Sequence, residues 1–311
     1  MVRIRRRLGI AVFAGAVLIL VGGVVGWANV VTDLQVGCRP QAMGGAFVAV
    51  ADDVNASYWN PAGIAQINKG AFTFLHSNPY ISELSLDYLS YLAPNSLSFI
   101  KGGFALSYLK QAGKLYQQAS EGSAQVTHEM VAPEMYTLSV GGTAAANKLY
   151  YGLNFNGLAV SAETDTGKER RGGFSADIGI LYKVKDNFSV GVVRKNMAAS
   201  LGGEGFPGTL RAGFAGKLMN GKLLVAADFN SKEDVGGNKG TSWQSHFGVE
   251  YAITNALALR LGSDRGNFTA GFGFKFALPG KLAPNAALDY SYTSNSDLGS
   301  ASRFSLTILF K

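Results

Sequence analysis

Hydrophobic and polar residues alternate with a period of two along most of the chain after about residue 70. In residues 268–276 every second residue is phenylalanine or alanine, and the residues between them are threonine, glycine or lysine. The same alternation occurs in residues 174–183, 210–218, 257–262 and 303–310. Alternate side chains of a β-strand point to opposite faces, so each stretch is predicted to be a strand with one apolar face. This part of the chain is therefore predicted to be all-β.

The composition of the polar face separates two kinds of β-protein. A soluble β-sandwich also alternates, but its outer face carries Lys, Glu and Asp along most strands. Here the polar positions are mostly Gly, Ser, Thr and Asn, and charged residues make up only 16% of the chain. A transmembrane barrel has an apolar face toward lipid and a polar face toward its lumen. The pattern favours the barrel, and the soluble sandwich remains the alternative.

The number and spacing of the alternating stretches predict a barrel of fourteen antiparallel strands. They lie near residues 70–77, 83–94, 100–112, 133–145, 148–162, 172–184, 187–198, 207–218, 221–232, 241–252, 255–263, 266–278, 284–293 and 301–310. Tight turns such as Asn220-Gly221, a strong hairpin signal, alternate with longer polar loops at residues 162–172, 200–208 and 231–240. An even strand number, with short turns at one end and longer loops at the other, is typical of bacterial outer-membrane barrels.

Residues 1–28 have the features of an export signal. Four arginines in residues 3–7 precede an apolar run over residues 8–25, and Gly26-Trp27-Ala28 fits a cleavage site. The apolar run is also long enough to remain as an uncleaved membrane anchor. Cleavage after Ala28 would reduce the formal net charge from +7 to +3, because four of 28 basic residues are lost while 21 acidic residues stay. Such a charge argues against nucleic-acid binding.

Residues 29–69 precede the strands and differ from them in composition. Residues 43–51 are small or apolar throughout, and Asn60 followed by Pro61 is a typical helix start. Asn can cap the first turn, and proline lacks an N–H that would otherwise need a partner there. A barrel of this strand number has an open lumen unless something fills it. We therefore predict a signal peptide over residues 1–28, a lumenal hatch over residues 29–69 and the barrel over residues 70–311.

Five residues of the predicted hatch are candidates for its architecture. They are Asp52, Asp53, Asn60, Pro61 and Gly63. Local capping explains Asn60, Pro61 and Gly63 without any ligand contact. The two carboxylates are expected to bind lumen-facing cations and hold the hatch in register, because opposite charges attract strongly where water is scarce. A solvated acidic pair at a helix end is the other interpretation. The candidate cations are Arg211, Arg260, Lys275 and Arg303.

The sequence lacks the residue patterns of enzymes and metal proteins. It contains no G-x-S-x-G stretch, and its acidic pair lies in the predicted hatch. His76, His128 and His246 are far apart, with no carboxylate or cysteine at metal-ligand spacing. Cys38 is the single cysteine, so no intramolecular disulfide can form. We expect no enzymatic activity, no cofactor and no metal.

Two stretches of the predicted hatch resemble a known family. Residues 43–53 read M-G-G-A-F-V-A-V-A-D-D and residues 58–65 read Y-W-N-P-A-G-I-A. They resemble the N-terminal signature of the PorV/PorQ family of outer-membrane proteins, which belongs with the FadL-type fatty-acid transporters. Residues 206–213 and 287–306 are similar to a mid-barrel strand and the last hairpin of that family. The resemblance implies a fourteen-strand barrel with a lumenal hatch in the bacterial outer membrane. Cys38 departs from it, since a small residue is usual there.

The resemblance implies two different functions. FadL-type members are channels that take up hydrophobic molecules such as long-chain fatty acids through a hatch-gated lumen, so passive uptake of a small hydrophobic compound is the leading expectation. PorV and PorQ relatives are accessory components of type IX protein secretion or surface attachment, and a role of that kind without transport is the alternative. The expected partners are outer-membrane lipid, a hydrophobic small molecule, the barrel assembly machinery and, under the alternative, secretion-system proteins.

Overall fold

The computed structural model describes residues 36–78, 84–96, 101–113, 115–117, 126–128, 130–164, 167–202, 204–205, 208–233, 241–278, 285–295 and 299–310. The predicted signal peptide, residues 1–28, and the first part of the predicted hatch, residues 29–35, lie outside the described residues and stay predictions. Among the helices in the described ranges, none is long and apolar enough to cross a bilayer.

Fourteen long antiparallel strands form a closed barrel within the described part of the chain. They are β1 (Gly70–Asn78), β2 (Leu84–Ala93), β3 (Gly102–Gly113), β4 (Met130–Ala144), β5 (Leu149–Thr164), β6 (Gly167–Lys185), β7 (Phe188–Leu201), β8 (Thr209–Leu218), β9 (Leu223–Glu233), β10 (Thr241–Ala252), β11 (Leu257–Asp264), β12 (Asn267–Ala277), β13 (Asn285–Asn295) and β14 (Gly299–Phe310). Each strand pairs with its sequence neighbours, and β1 pairs with β14 from Gly70↔Phe310 onward, which closes the sheet. The predicted strand number and arrangement are confirmed.

Three short strands lie outside this wall. Leu115–Gln117 pairs with Val126–His128 between β3 and β4, and Glu204–Gly205 pairs with the end of β7.

The alternation places apolar side chains on the outside of the barrel. Phe268 exposes 52% of its surface, whereas the adjacent Thr269 is completely buried. Leu261 exposes 57% and the adjacent Arg260 only 4%. Exposed phenylalanine and leucine along many strands would leave a large apolar surface in water, but lipid accommodates them. The wall is a transmembrane barrel, and the soluble sandwich is the wrong alternative.

The two ends of the barrel differ, and we call them the turn end and the loop end. At the turn end, residues 145–148 join β4 to β5 and residues 186–187 join β6 to β7; β1 begins there and β14 ends there. At the loop end, the connections over residues 114–129 and 234–240 are longer. The loop predicted at residues 162–172 is wrong, because β5 and β6 stay paired as far as Thr164↔Gly167. The apolar alternation stops where lipid stops, but the backbone hydrogen bonds continue beyond it.

Residues 36–69, called the lumenal segment below, fill the interior of the barrel. The segment contains helix α1 (Cys38–Ala42), helix α2 (Ala56–Trp59) and a 3-10 helix (Pro61–Gln66). Its residues contribute to all three buried apolar clusters, and Phe47 and Ile64 are completely buried. The core of the molecule is therefore the contact between this segment and the inner face of the wall.

Wall glycines allow the lumenal segment to come this close. A Cβ at Gly152 of β5 would overlap the backbone of Pro61, and a Cβ at Gly191 of β7 would overlap the backbone of Val48. Even one methyl group at these positions would push the segment away from the wall. Close approach of the segment is thus one reason why the chain has 40 glycines.

Candidate functional site

Asn60 connects three parts of the molecule. Its side-chain Oδ1 accepts the N–H of Ala62 at 3.1 Å and caps the 3-10 helix that begins at Pro61. Its Nδ2 donates to the carbonyl of Val48 at 2.8 Å and to the carbonyl of Ile180 in β6 at 3.2 Å. Asn60 is completely buried. The predicted cap is confirmed, and the same side chain also joins the lumenal segment to the wall.

Gly63, the third predicted residue of this helix, is needed for packing inside the segment. A Cβ at Gly63 would run into the backbone carbonyl of Ala51. Ala51 itself has a φ of 32°, which is unusual for a residue with a side chain. The 3-10 helix and the residues around Ala51 are therefore pressed against each other.

Asp228 is the principal wall residue that binds the lumenal segment, and its role was not predicted. The side chain is completely buried, and its Oδ2 accepts the N–H groups of Phe47 at 2.8 Å and Val48 at 3.0 Å. The same oxygen accepts the Nε–H of Arg211 at 3.1 Å. Arg211 also donates from Nη2 to the carbonyl of Gly45. The buried Asp228–Arg211 pair of the wall therefore binds the backbone of this turn. Asp228 accepts two N–H groups of the turn, and Arg211 donates to one of its carbonyls.

Four more wall side chains bind backbone carbonyls of the lumenal segment. Their bonds are His246 Nδ1 to Gly44 at 3.0 Å, Thr269 Oγ1 to Ala42 at 3.2 Å, Ser189 Oγ to Ala49 at 2.7 Å and Asn154 Nδ2 to Ser57 at 2.8 Å. A carbonyl only accepts, so His246 carries its proton on Nδ1. Among the described residues, the bonds from wall side chains to the segment's backbone fall on residues 42–49 and on Ser57. Residues 50–56 are held differently.

Residues 50–56 are held by an ion network centred on Arg39. Arg39 Nη1 lies 2.6 Å from Asp52 Oδ1 and 2.9 Å from Asp53 Oδ2. Its Nε and Nη2 bind the two carboxylate oxygens of Glu250 in β10 at 2.7 and 2.9 Å. Lys217 of β8 lies farther from Asp52, at 3.6 Å. Arg39 and Lys217 therefore tie the acidic pair to the wall.

The expected partners of the acidic pair have other positions. Arg211 binds Asp228, and Arg260 binds Glu250 at 2.6 Å and Asp289 at 2.7 Å. Arg303 is 1% exposed and donates to Thr293 at 3.2 Å. Lys275 is exposed at the turn end. The expected pairing of the carboxylates with these four cations is therefore corrected, because Arg39 is their partner. Alternation along a strand predicts that a cation faces the lumen, but it does not predict the position of that cation along the barrel axis. Whether the carboxylates hold the segment in register stays a prediction.

The two carboxyls of the pair differ in their pKa. Burial raises the pKa of Asp52, but the charge of Arg39, with that of Lys217, outweighs burial and holds it below the ordinary value of 3.8. For Asp53, burial and the neighbouring charge of Asp52 outweigh Arg39, so its pKa is raised. Asp52 is thus the carboxylate that keeps its charge, and Asp53 is the first to take up a proton.

A narrow cavity that opens to solvent lies on the loop-end side of the lumenal segment. Tyr58 of the segment and Met135 of the wall, with the buried Tyr88 and Leu109, supply its aromatic and aliphatic lining, and Asn154, Asp177 and Lys195 are among its polar groups. Lys195 Nζ lies 3.6 Å from the centre of the Tyr58 ring, a cation–π contact. The cavity therefore suits a molecule that has an apolar body and a polar or anionic group.

A second cavity, also open to solvent, lies at the turn end. The lumenal segment lines it through Ala49, Val50 and Asp52, and the wall lines it through Lys183 and Lys217 among others. Both cavities are thus bounded by the lumenal segment, the first by residues 57–58 and the second by residues 49–52.

A protein-family model matches the N-terminal part of the chain. The model of an uncharacterised protein family, UPF0164, matches residues 27–205, which is more than half of the 311 residues and includes the whole lumenal segment. No curated protein matches the sequence.

Several solved structures share the fold. The toluene transporter TodX of Pseudomonas putida is 14% identical, with a TM-score of 0.62 over 91% of this chain and 98% of that one. The toluene transporter TbuX of Ralstonia pickettii is 13% identical, with a TM-score of 0.60 over 89% and 97%. A FadL homologue of Pseudomonas aeruginosa is 12% identical, with a TM-score of 0.60 over 92% and 99%. At such low identity the likeness shows a FadL-type barrel fold and nothing finer.

Proposed function

The chain belongs to UPF0164, an uncharacterised protein family, and we propose that it is an outer-membrane channel for small hydrophobic compounds that carry one polar group. In bacterial barrels the short turns face the periplasm and the longer loops face outward. The loop-end cavity would then receive the compound from outside, and the turn-end cavity would open toward the periplasm. The lumenal segment would be the hatch that separates them.

The observation that carries this proposal is the position of the lumenal segment between two cavities. Residues 57–58 line the loop-end cavity, and residues 49–52 line the turn-end cavity. A shift of the intervening residues 50–56 would join the cavities without breaking the bonds that hold residues 42–49. Asp228, His246, Thr269 and Ser189 can therefore keep the rest of the segment in place while the passage opens.

Residues 50–56 are suited to move because, among the described residues, no wall side chain bonds their backbone; ions, contacts within the segment and apolar packing hold them. Asp52 and Asp53 are partly exposed, with side-chain exposures of 27% and 26%. Ion pairs that water reaches contribute about 1 kcal/mol or less each, whereas a hydrogen bond to a buried charge such as Asp228 contributes about 1.5–3 kcal/mol. Ala51 adds backbone strain at the start of this stretch, with its φ of 32°. The stretch is the weaker part of the hatch.

The lining of the loop-end cavity supports the proposed class of compound. Tyr58, Tyr88, Leu109 and Met135 can cover an apolar body, and Lys195 can bind a carboxylate or hydroxyl at its end. TodX and TbuX, which share the fold, are toluene transporters, and this supports a hydrophobic compound. The polar groups of this cavity favour an amphiphile over a pure hydrocarbon, because a ligand that left them unpaired would bind more weakly.

Uptake in whole cells tests the proposal. The protein would be expressed in a bacterial host that lacks its own channel for hydrophobic compounds, and uptake of radiolabelled decanoate, toluene and sucrose would be measured. We expect faster uptake of decanoate than in cells with an empty vector, a smaller gain for toluene and none for sucrose. No gain for decanoate or toluene, with the protein folded in the outer membrane, would overturn the proposal.

One observation favours the alternative function, an accessory role in type IX secretion or surface attachment. The lumenal segment is buried so completely, with Val48, Ala51 and Ile64 at 0% exposure, that the described residues enclose no continuous passage. A barrel that never opens would fit an adaptor. Purification from the native membrane separates the two: a stoichiometric protein partner without any gain in uptake would support the adaptor.

A further inference from the structure

Seven lysines of the described residues lie at the turn end, in the strand ends or in the turns that join them. Lys183 follows the buried Leu181 at an interval of two, and Lys217 follows the buried Ala215 in the same way. Lys185 lies beyond a register irregularity and lines the same cavity as these two. A spacing of two keeps side chains on one face of a strand. Lys275 follows the buried Gly273 of β12 in the same way, whereas Lys101, Lys148 and Lys222 directly precede strands. The seven are Lys101, Lys148, Lys183, Lys185, Lys217, Lys222 and Lys275.

These lysines stand on strands and turns that are bonded to one another around the rim. The backbone N–H of Lys183 donates to the carbonyl of Lys148, and the N–H of Lys217 donates to the carbonyl of Asn187, both at 2.8 Å. Lys101 Nζ donates to the side chain of Asn147 at 3.0 Å. These backbone bonds place Lys148 beside Lys183, and Lys217 beside the turn between β6 and β7, at the mouth of the lumen.

Three of the seven meet in the turn-end cavity, which has a cationic mouth and an apolar floor. Lys183, Lys185 and Lys217 line it together with Val50, Ala215 and Leu224. Ala215 and Leu224 are 3% and 5% exposed. The enclosed space is small and its mouth opens to solvent, so a head group would lie at the mouth, against the lysines.

Positively charged side chains outnumber negatively charged ones in the lining of this cavity. Its lining includes two carboxylates, Asp52 and Asp186, against three lysines. Asp52 is already bound more closely by Arg39, at 2.6 Å, than by Lys217, at 3.6 Å. Asp186 is exposed in the turn between β6 and β7. A cavity with excess positive charge and low-dielectric walls attracts anions.

We propose that the turn-end cavity is a binding site for an anionic head group, a phosphate or carboxylate held by Lys183, Lys185 and Lys217. Lysines at the edge of a membrane commonly extend outward to lipid, but the inward register of Lys183 and Lys217 aims them at the lumen. The site goes beyond the proposed uptake function, because it requires neither transport nor movement of the lumenal segment.

Binding of a short amphiphile to the full-length protein tests the proposal. The protein, in neutral maltoside micelles, would be titrated by calorimetry with hexyl phosphate, with 1-hexanol and with inorganic phosphate. We expect hexyl phosphate to bind and hexanol to bind far more weakly. Inorganic phosphate that binds as tightly as hexyl phosphate would identify a free anion as the ligand; weaker binding would identify the amphiphile. Hexanol binding as tightly as hexyl phosphate would overturn the proposal.

Two triple variants with the same change in charge supply the control. K183Q/K185Q/K217Q removes the cavity lysines and is expected to weaken hexyl phosphate binding by at least about tenfold, since each lysine lost removes a charge-assisted hydrogen bond to the head group. K101Q/K148Q/K275Q removes lysines of the same rim outside the cavity and is expected to leave the affinity within about twofold. Equal weakening in both would show a diffuse rim charge and contradict the site. If the first triple variant does not fold, the single variant Lys185→Gln, at an exposed position, carries the same comparison.

Discussion

Asp228 of β9 accepts the backbone N–H of Val48 at 3.0 Å, so a completely buried carboxylate of the wall is bonded directly to the lumenal segment. The same oxygen binds Arg211, which reaches the carbonyl of Gly45. Hydrogen bonds to an ionised group are the stronger ones, and a buried charge without its partner is costly. The folding of the wall and the placement of the segment are therefore coupled at this residue.

Replacing Asp228 should destabilise the protein strongly. Asp228→Ala leaves the Arg211 charge and two backbone N–H groups without their acceptor, and we expect the free energy of unfolding to fall by about 3–5 kcal/mol. Denaturant unfolding followed by tryptophan fluorescence measures the change. Asp87→Ala is the control, because Asp87 is paired with His76 on an exposed part of β2; its loss should stay within about 1 kcal/mol. Equal losses in the two variants would contradict the role given to Asp228.

Close packing at two glycines should be measurable with single methyl groups. Gly63→Ala would drive a Cβ into the carbonyl of Ala51, and Gly191→Ala would drive one into the backbone of Val48. We expect each to cost about 1–3 kcal/mol in the same unfolding experiment. Gly157→Ala is the matched control, because the nearest heavy atom to its Cβ is 4.0 Å away. A cost at Gly157 as large as at Gly191 would show that strand propensity, and not the segment, causes the effect.

The pKa shifts of Asp52 and Asp53 predict how strongly residues 50–56 are held at different pH values. The lowered pKa of Asp52 means that its stabilisation is complete above the ordinary value of 3.8 and is lost as the pH falls below it. The raised pKa of Asp53 has the opposite sign, so stability increases as the pH falls through that pKa toward 3.8. Dye leakage through reconstituted protein should therefore pass through a minimum on acidification and then rise.

Two variants separate these contributions in the leakage measurement. Asp53→Asn should remove the decrease in leakage that precedes the minimum. Asp52→Asn should raise leakage at neutral pH and remove the rise at acid pH. Leakage that does not change with pH in the unaltered protein would count against the ion network as the element that holds this stretch.

Much of the wall was predictable because strand periodicity depends on nearest neighbours along the chain. Phe268 and Thr269 face lipid and lumen as their alternation predicts. The ends of β5 and β6 were not predictable in this way, because the pairing of Glu163 with Lys168 needs no apolar residue. Backbone hydrogen bonds between strands can extend beyond the apolar part of the strands, and the hydrophobic pattern of the sequence does not reveal them.

The site was less predictable than the wall, because its contacts join residues far apart in the chain. The cap at Asn60 is local and was predicted, whereas its bond to the carbonyl of Ile180 depends on the closed barrel. Arg39 binds Asp52 across 13 positions of an irregular segment, which has no period to count. Asp228 gave one signal, an inward-facing carboxylate directly after the apolar first half of β9, and a buried charge of that kind requires a partner.

The loop-end cavity is predicted to select compounds that carry an anionic head group. Lys195→Gln removes the cation beside Tyr58 and should reduce decanoate uptake by about fivefold, which corresponds to the loss of one charge-assisted hydrogen bond. Uptake of decanol, with the same chain and no charge, should change by less than about twofold. Parallel uptake of the two labelled compounds measures the difference. An equal reduction for both would show that Lys195 acts on the shape of the cavity and not on the charge of the ligand.

The central claim is that residues 50–56 move to open the channel, and tethering them to the wall tests it most directly. Asp52 Oδ2 and Lys217 Nζ are 3.6 Å apart, so cysteines at these two positions can be joined by a short, reducible bis-thiosulfonate linker. Burial raises the pKa of the Cys38 thiol to about 12 and keeps that cysteine inert. Decanoate uptake by the D52C/K217C variant should fall by at least about tenfold on cross-linking and return on reduction. Cross-linked protein that takes up decanoate at the rate of the reduced protein would contradict the claim.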